Sequence, residues 1–356
     1  MIMACYLVLL VFFFFCSIKQ IFGFNFGNSI LDLQIEIGKN SGFDKSSTIS
    51  QESLKKIIRG AENGKKDDMY FYALLRHYGN SVPADATVAA NYFRKAASIG
   101  HMEAQTAYAI MLVSGLGIPQ DYNEAVKWLR KSVADGDKEA TWLLAIVLCD
   151  LASQKRAVVV VDGQAELEAE SLRFQEAKYK EALMFLHKAA DEYHISQAEY
   201  YLALMYEYSI AVTQNFDTAA EYYKRAAEKM HIDSMYNLAL MYTYGRGCNQ
   251  NYKRAFALFD NAVRISGHKS SAYYLALFRM YGYGCEPNYS IAINWFEFAS
   301  GADDPVIAEK ALKSANELRE MLDLATETNN DVLDQLRTKS EKAQSASGSD
   351  GLDEDD

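Results

Sequence analysis

An alanine followed by an aliphatic residue recurs six times in the same kind of segment: Ala73-Leu74, Ala109-Ile110, Ala145-Ile146, Ala203-Leu204, Ala239-Leu240 and Ala276-Leu277. Successive alanines are 36, 36, 58, 36 and 37 residues apart. A period of about 20 to 50 residues is the mark of a solenoid built by stacking one supersecondary unit. No single repeat can bury its own apolar face, so each must borrow core from its neighbours.

A second register has the same period, which gives each repeat two helices. Ala89, Ala125, Ala182, Ala219, Ala255 and Ala292 are each followed three residues later by a bulky residue: Tyr92, Trp128, Phe185, Tyr222, Leu258 and Trp295. Seven residues after each alanine comes another small one, Ala96, Ser132, Ala189, Ala226, Ala262 or Ala299, back on the same helical face after two turns. Small residues at these positions let helices approach closely.

The punctuation agrees. Asp85, Asp121, Asn215, Asn251 and Asn288 stand four residues before the second-register alanine, where a helix needs a side-chain acceptor for its unpaired first-turn amides; Lys178 breaks the pattern. Gly79, Gly115, Gly245 and Gly282 end the first helices, where a left-handed residue terminates the helix. Three of these turns read Gly-x-Gly: Gly115-Leu-Gly117, Gly245-Arg-Gly247 and Gly282-Tyr-Gly284.

Together these residues resemble the Sel-one-like repeat family, a branch of the tetratricopeptide superfamily. The strongest matches are Ser234 to Gly247 followed by Asn251-Tyr-Lys-Arg-Ala255, and Ala104 to Gly117 followed by Asp121 to Lys131. The resemblance runs from about Asp68 to Gly301. It implies an all-α fold, a right-handed α/α superhelical solenoid of about six helix-pair repeats. Three repeats depart from the family turn: Asn80-Ser81 follows Gly79, and Asp150-Leu151 and Tyr208-Ser209 replace the glycines.

The expected organisation assigns 1–23 to a leader, 24–51 to a linker and 52–325 to the repeat array, with 326–356 as an acidic disordered tail. Met1 to Ile18 holds no charged side chain and contains Phe12-Phe-Phe-Phe15, as an export signal or a membrane anchor does. The sequence leaves both open, together with an apolar terminus of another role. Glu52 to Ala61 has the pattern of a helix covering one end of the array, and Asp304-Pro305 starts a helix that covers the other. The third repeat is longer than its neighbours, and the extra material near 151–175 reads as a surface loop holding four consecutive valines, followed by a helix from Ala165 onward. The tail, ending Asp353-Glu-Asp-Asp356, lacks the apolar residues needed to order itself.

A formal net charge of −11 and the absence of a Lys/Arg run argue against a nucleic-acid surface. Cys248 and Cys285 occupy equivalent positions one repeat apart. Packed helices stand about 10 Å apart, beyond the ~7 Å reach of a disulfide between Cα atoms, so these two are not expected to pair. Gly60 to Lys65 falls short of a phosphate loop: it lacks the following Ser/Thr and a preceding strand. His101, His231 and His268 recur in the turns joining one repeat to the next, too far apart to share a metal ion, and are read as turn residues packing on the next helix. No nucleophile with a base can be placed. The expectation is a non-enzymatic protein without cofactor or metal.

Tyrosine is in excess, 24 in all. One column in the first helices reads Tyr70, Thr106, Trp142, Tyr200, Tyr236 and Tyr273; a second, eight residues later, reads Tyr78, Ser114, Asp150, Tyr208, Tyr244 and Tyr281. In the family that these residues resemble, first helices line a concave surface. The resemblance thus implies that Tyr200, Tyr236, Tyr273, Tyr208, Tyr244 and Tyr281 present amphipathic rings to a peptide segment or helix of a protein partner. Packing between repeats is the alternative. Asn288-Tyr-Ser290 is an N-glycosylation acceptor, and Asn288 is also an expected N-cap, so glycan and cap would compete for one amide.

What the resemblance implies for biology is an adaptor in the secretory pathway, in the lumen or membrane of the endoplasmic reticulum, similar to the adaptor of the ubiquitin ligase that removes misfolded proteins. Membrane contact is expected only through the N-terminal segment. The alternative is a secreted or periplasmic repeat protein that contacts host or envelope proteins. A third reading is a penicillin-binding enzyme like that suggested for cysteine-rich relatives.

Overall fold

The computed structural model describes residues 49–159 and 165–328. The leader, most of the linker and the tail beyond Thr328 lie outside the described residues, as do residues 160–164 of the insertion.

The described residues form fourteen α-helices and no strand. A single helix, α1 (Gln51–Glu62), precedes six pairs: α2 (Lys66–Tyr78) with α3 (Ala86–Ser98), α4 (Met102–Ser114) with α5 (Tyr122–Ala134), and α6 (Lys138–Val159) with α7 (Ala165–His187). Then follow α8 (Ser196–Glu207) with α9 (Phe216–Glu228), α10 (Ile232–Tyr244) with α11 (Tyr252–Ser266), and α12 (Lys269–Tyr281) with α13 (Tyr289–Ala299). A last helix, α14 (Pro305–Thr328), closes the series. The chain divides into two compact units between Lys188 and Ala189, inside a π-helical turn, Lys188–Glu192, that continues α7. Within each unit every helix packs on the next in chain order, and α14 lies against α13 and touches α12. The fold is the expected all-α helix-pair solenoid.

Both alanine registers are core. All six first-register alanines and all six of the second register are 0% exposed, and so are the six small residues seven positions on, from Ala96 to Ala299. The large core residue, however, is the one four positions after the second-register alanine: Phe93, Leu129, Leu186, Tyr223, Phe259 and Phe296, each at most 1% exposed. The residue three positions on, singled out in the sequence, is half-buried in five repeats and sits at the core's edge. Helical geometry explains the difference. At 3.6 residues per turn, positions +4 and +7 lie about 40° and 20° from the alanine, whereas +3 lies about 60° away.

The caps form as the sequence requires. Asp85, Asp121, Asn215, Asn251 and Asn288 each accept a hydrogen bond from the amide three residues on, at 2.9–3.0 Å. Each also donates its own amide to a carbonyl nine residues earlier, near the end of the preceding first helix, locking the turn. Gly79, Gly115, Gly245 and Gly282 all take left-handed conformations, with φ between 63° and 74°. The second glycine of each Gly-x-Gly has a separate cause. A Cβ on Gly117, Gly247 or Gly284 would come within 2.1–2.6 Å of backbone at the start of the previous pair's second helix, at Ala86, Phe216 or Tyr252. Where glycine is missing the geometry persists: Ser81 (φ 60°), Ser209 (φ 56°) and Ala211 (φ 59°) hold the corresponding left-handed positions.

The insertion is a correction. Its early part is helix, not loop: α6 continues through Leu151 to Val159, and α7 begins at Ala165, so the extra residues lengthen both members of the pair to 22 and 23 residues. The expected fusion of the Ala165 stretch with the repeat's second helix is what α7 displays. At the C-terminal end, Asp304 accepts from the amide of Val306 at 2.8 Å, and Pro305 opens α14.

Candidate protein-binding face

The candidate face is built on the first helices of the second unit: α8, α10 and α12. Helical phase places Tyr200, Tyr236 and Tyr273 three residues before the buried alanine of each helix, beside the core rather than in it, and all three are half-buried. Each ring packs on its partner helix. Tyr200 lies 6.1 Å from Tyr223, Tyr236 6.0 Å from Phe259, and Tyr273 5.7 Å from Phe296. Two of them also meet the next pair: Tyr200 lies 4.7 Å from the His231 ring, and Tyr236 5.1 Å from His268. In the first unit the same column is buried outright, with Tyr70 stacked 4.5 Å from His101 and the Trp142 indole donating to Glu139 at 2.8 Å. Tyr70, Tyr200 and Tyr236 thus join consecutive pairs.

The second column is more open. Tyr208 and Tyr281 are half-buried, while Tyr244 is 54% exposed, with the Arg246 guanidinium 5.4 Å from its ring centre. Tyr274 stands between the two columns: its ring lies 5.8 Å from that of Tyr236, and its hydroxyl neighbours those of Tyr236 and Tyr244. The sequence reading passed over Tyr274; the doubled Tyr273-Tyr274 was its only signal. Burial raises the Tyr236 phenol to about 12 and pushes Tyr200, Tyr208, Tyr273 and Tyr274 upward as well. All of these hydroxyls are therefore neutral at physiological pH. They can donate and accept hydrogen bonds, as a peptide backbone demands, while their rings cover apolar side chains.

Buried charge braces the same unit. Glu199, 0% exposed, accepts from Arg225 Nε at 3.0 Å and from Lys229 Nζ at 2.7 Å; Arg225 also donates to Asp191 at 2.8 Å and to the Ala190 carbonyl at 2.7 Å. The equivalent of Glu199 in the second repeat is Gln105, which donates to Asp135 at 3.0 Å. A buried carboxylate with two cations there becomes an amide with an anion here, one geometry with the polarity exchanged. Glu207, nearly buried, accepts from the Tyr223 hydroxyl at 2.7 Å, and burial raises its pKa. Tyr223 is itself sealed in the core, so this pair is a satisfied structural bond.

His101, His231 and His268 have a role that sequence reasoning missed. They are N-caps: each Nδ1 accepts from the amide three residues on, at Ala104, Ser234 and Ser271, at 3.2–3.3 Å. Among the described residues no group of three or more His, Cys, Asp or Glu is placed to hold a metal ion, and no helix is long and apolar enough to cross a membrane. Cys149, Cys248 and Cys285 are free thiols. At Asn288 the expected competition is resolved by chemistry. The cap uses Oδ1, 2.9 Å from the Ile291 amide, whereas a glycan attaches through Nδ2.

Comparison with known proteins gives a consistent picture. A family model described as "Sel1 repeat" matches residues 67–101, 103–137, 174–194, 196–229, 232–264 and 269–304. Its segments coincide with the helix pairs, except that in the enlarged third repeat only part of the second helix is matched. Among solved structures, a Sel1 repeat protein from Oxalobacter formigenes is similar with a TM-score of 0.54 and 21% identity, over 77% of this chain and 98% of that one. A protective antigen of uropathogenic Escherichia coli that displays an SLR fold aligns with a TM-score of 0.36 and 18% identity, over 89% of this chain and 76% of that one. No curated protein matches the chain.

Proposed function

Because the chain belongs to the Sel1 repeat family, we propose that it is a non-catalytic scaffold that binds protein partners along the tyrosine face of α8, α10 and α12. The observation that carries this reading is the exposed Tyr244, whose neighbour Tyr274 packs on Tyr236 in the repeat stack. Rigid rings lose little entropy on contact, and tyrosine is enriched among residues that dominate interface energy. The bound element is a peptide segment or helix lying across successive first helices. A photoreactive aromatic residue placed at position 244 in the intact chain tests it. Cross-linked partner peptides from position 244, and none from the exposed Lys224 on α9, are the expected result. Equal labelling from both positions would remove the face.

The compartment belongs to the same proposal. The uncharged run Met1 to Ile18 supports delivery of the array into the secretory pathway, and an adaptor role in degradation of misfolded proteins follows from family likeness. N-terminal sequencing of native protein is expected to give a chain starting near Phe24 or a membrane-bound one starting at Met1. A cytosolic chain beginning at Met1 would contradict export.

A further inference from the structure

We infer that the histidine caps make the joints between consecutive helix pairs acid-sensitive: a proton on Nδ1 removes the acceptor on which three first helices begin. The same three imidazoles lie against the preceding pair, on Tyr70, Tyr200 and Tyr236. One atom thus serves a helix start inside a joint, and its protonation is felt by both partners. The other capped helices use Asp, Asn or, in α1, Ser50, whose hydroxyl does not titrate either. An amide cap does not titrate, and aspartate does so well below the histidine range.

The surroundings set how each joint responds. His101 faces Asp67 and Lys66 from α2 and Glu103 from its own helix; Asp67 lies 3.6 Å from Nε2, and Glu103 3.2 Å from Nδ1. A proton on this Nδ1 has a carboxylate waiting, so the ring can turn from cap acceptor to Glu103 donor. His231 faces Glu199 from α8, itself held by Lys229 just past the end of α9, and Asp233 from its own helix. His268 faces Asp233 of α10, 3.9 Å from Nε2. In these two the Nδ1 neighbour is a serine hydroxyl, Ser234 at 3.0 Å and Ser271 at 2.7 Å. A protonated Nδ1 would donate to that hydroxyl, leave the backbone amide unpaired and put positive charge at a helix N-terminus, where the dipole opposes it. The second unit is therefore the more sensitive.

The direction in pH follows from the rings being buried and neutral in the fold. Desolvation lowers all three below the usual imidazole value despite the carboxylates nearby. The unfolded chain then takes up protons first. The caps contribute fully above about pH 6.5, and their contribution is lost as pH falls from there through the lowered folded values.

Hydrogen exchange on the full chain between pH 7.5 and 5.5 tests the inference, with rates corrected for the intrinsic pH dependence of exchange. In the wild type the opening of the first turns of α10 and α12 should rise by up to about tenfold per pH unit per histidine below about pH 6.5. A His231→Asn, His268→Asn variant retains a capping side chain that does not titrate, and its opening should stay flat. An equal rise in both proteins would overturn the inference. So would imidazole signals of His231 and His268 in the wild type that titrate at or above the free value, a measurement independent of how the variant folds.

Discussion

Two glycines separated by a single residue in one turn are required for different reasons. Gly245 ends α10 with a left-handed backbone, while Gly247 has that backbone and also lies against the Phe216 carbonyl of the previous pair. Gly136 is a useful contrast, with φ 99° but nothing within 4 Å of where its Cβ would be. Gly136→Ala should therefore cost only the backbone strain, about 1–2 kcal/mol. Gly247→Ala adds a clash with backbone that cannot swing aside, a further ~1–3 kcal/mol. Denaturant titration of both variants measures the gap, and equal midpoints would mean that the turn does not touch the preceding helix. The Gly-x-Gly pattern was legible in the sequence; its second cause was not, because close approach across a joint leaves no local trace. The same holds for the core column at Phe93, Phe259 and Phe296, which the neighbouring Tyr92, Leu258 and Trp295 masked until helical phase was fixed.

Among elements, those bounded by Asp or Asn and Gly could be read directly, because both signals act within one turn of chain: an oxygen for a free amide, and a residue without Cβ for a left-handed φ. The first helices of the second, fifth and sixth pairs carry their N-cap on histidine, which is rarely read as a cap, and so appeared as turn residues only. The third repeat misled for a related reason. Val158 and Val159 are β-branched and favour strands over helices when taken alone, yet α6 runs through both. The two adjoining helices of 22 and 23 residues pack on each other, and such a pairing outweighs a few tenths of a kcal/mol of propensity per residue. The fourth repeat makes the converse point: Ser209 and Ala211 accept left-handed strain because the elements on either side fix the turn.

At the scale of the whole molecule, the solenoid was legible because its period is written in residues that must be small, and eighteen of them are wholly buried. The candidate face was legible only in part. A tyrosine column is compatible with a joint or with a binding surface, and sequence alone gives no exposure; the structure makes Tyr200 and Tyr236 parts of joints, packs Tyr273 within its own pair and leaves Tyr244 open. The account therefore gives the two columns different work, and paired alanine variants of the full chain test it most directly, read by thermal unfolding and by capture of the protein that cross-links through position 244. Tyr236→Ala removes a ring packed on Phe259, His268 and Tyr274 and should destabilise the chain by roughly 2–3 kcal/mol. Tyr244→Ala should change stability by less than about 1 kcal/mol while weakening capture at least tenfold, the loss expected of an interface anchor worth about 2 kcal/mol. Unchanged capture by the Tyr244→Ala chain, with destabilisation like that of Tyr236→Ala, would make the second column a joint as well and leave the proposed face without a ligand.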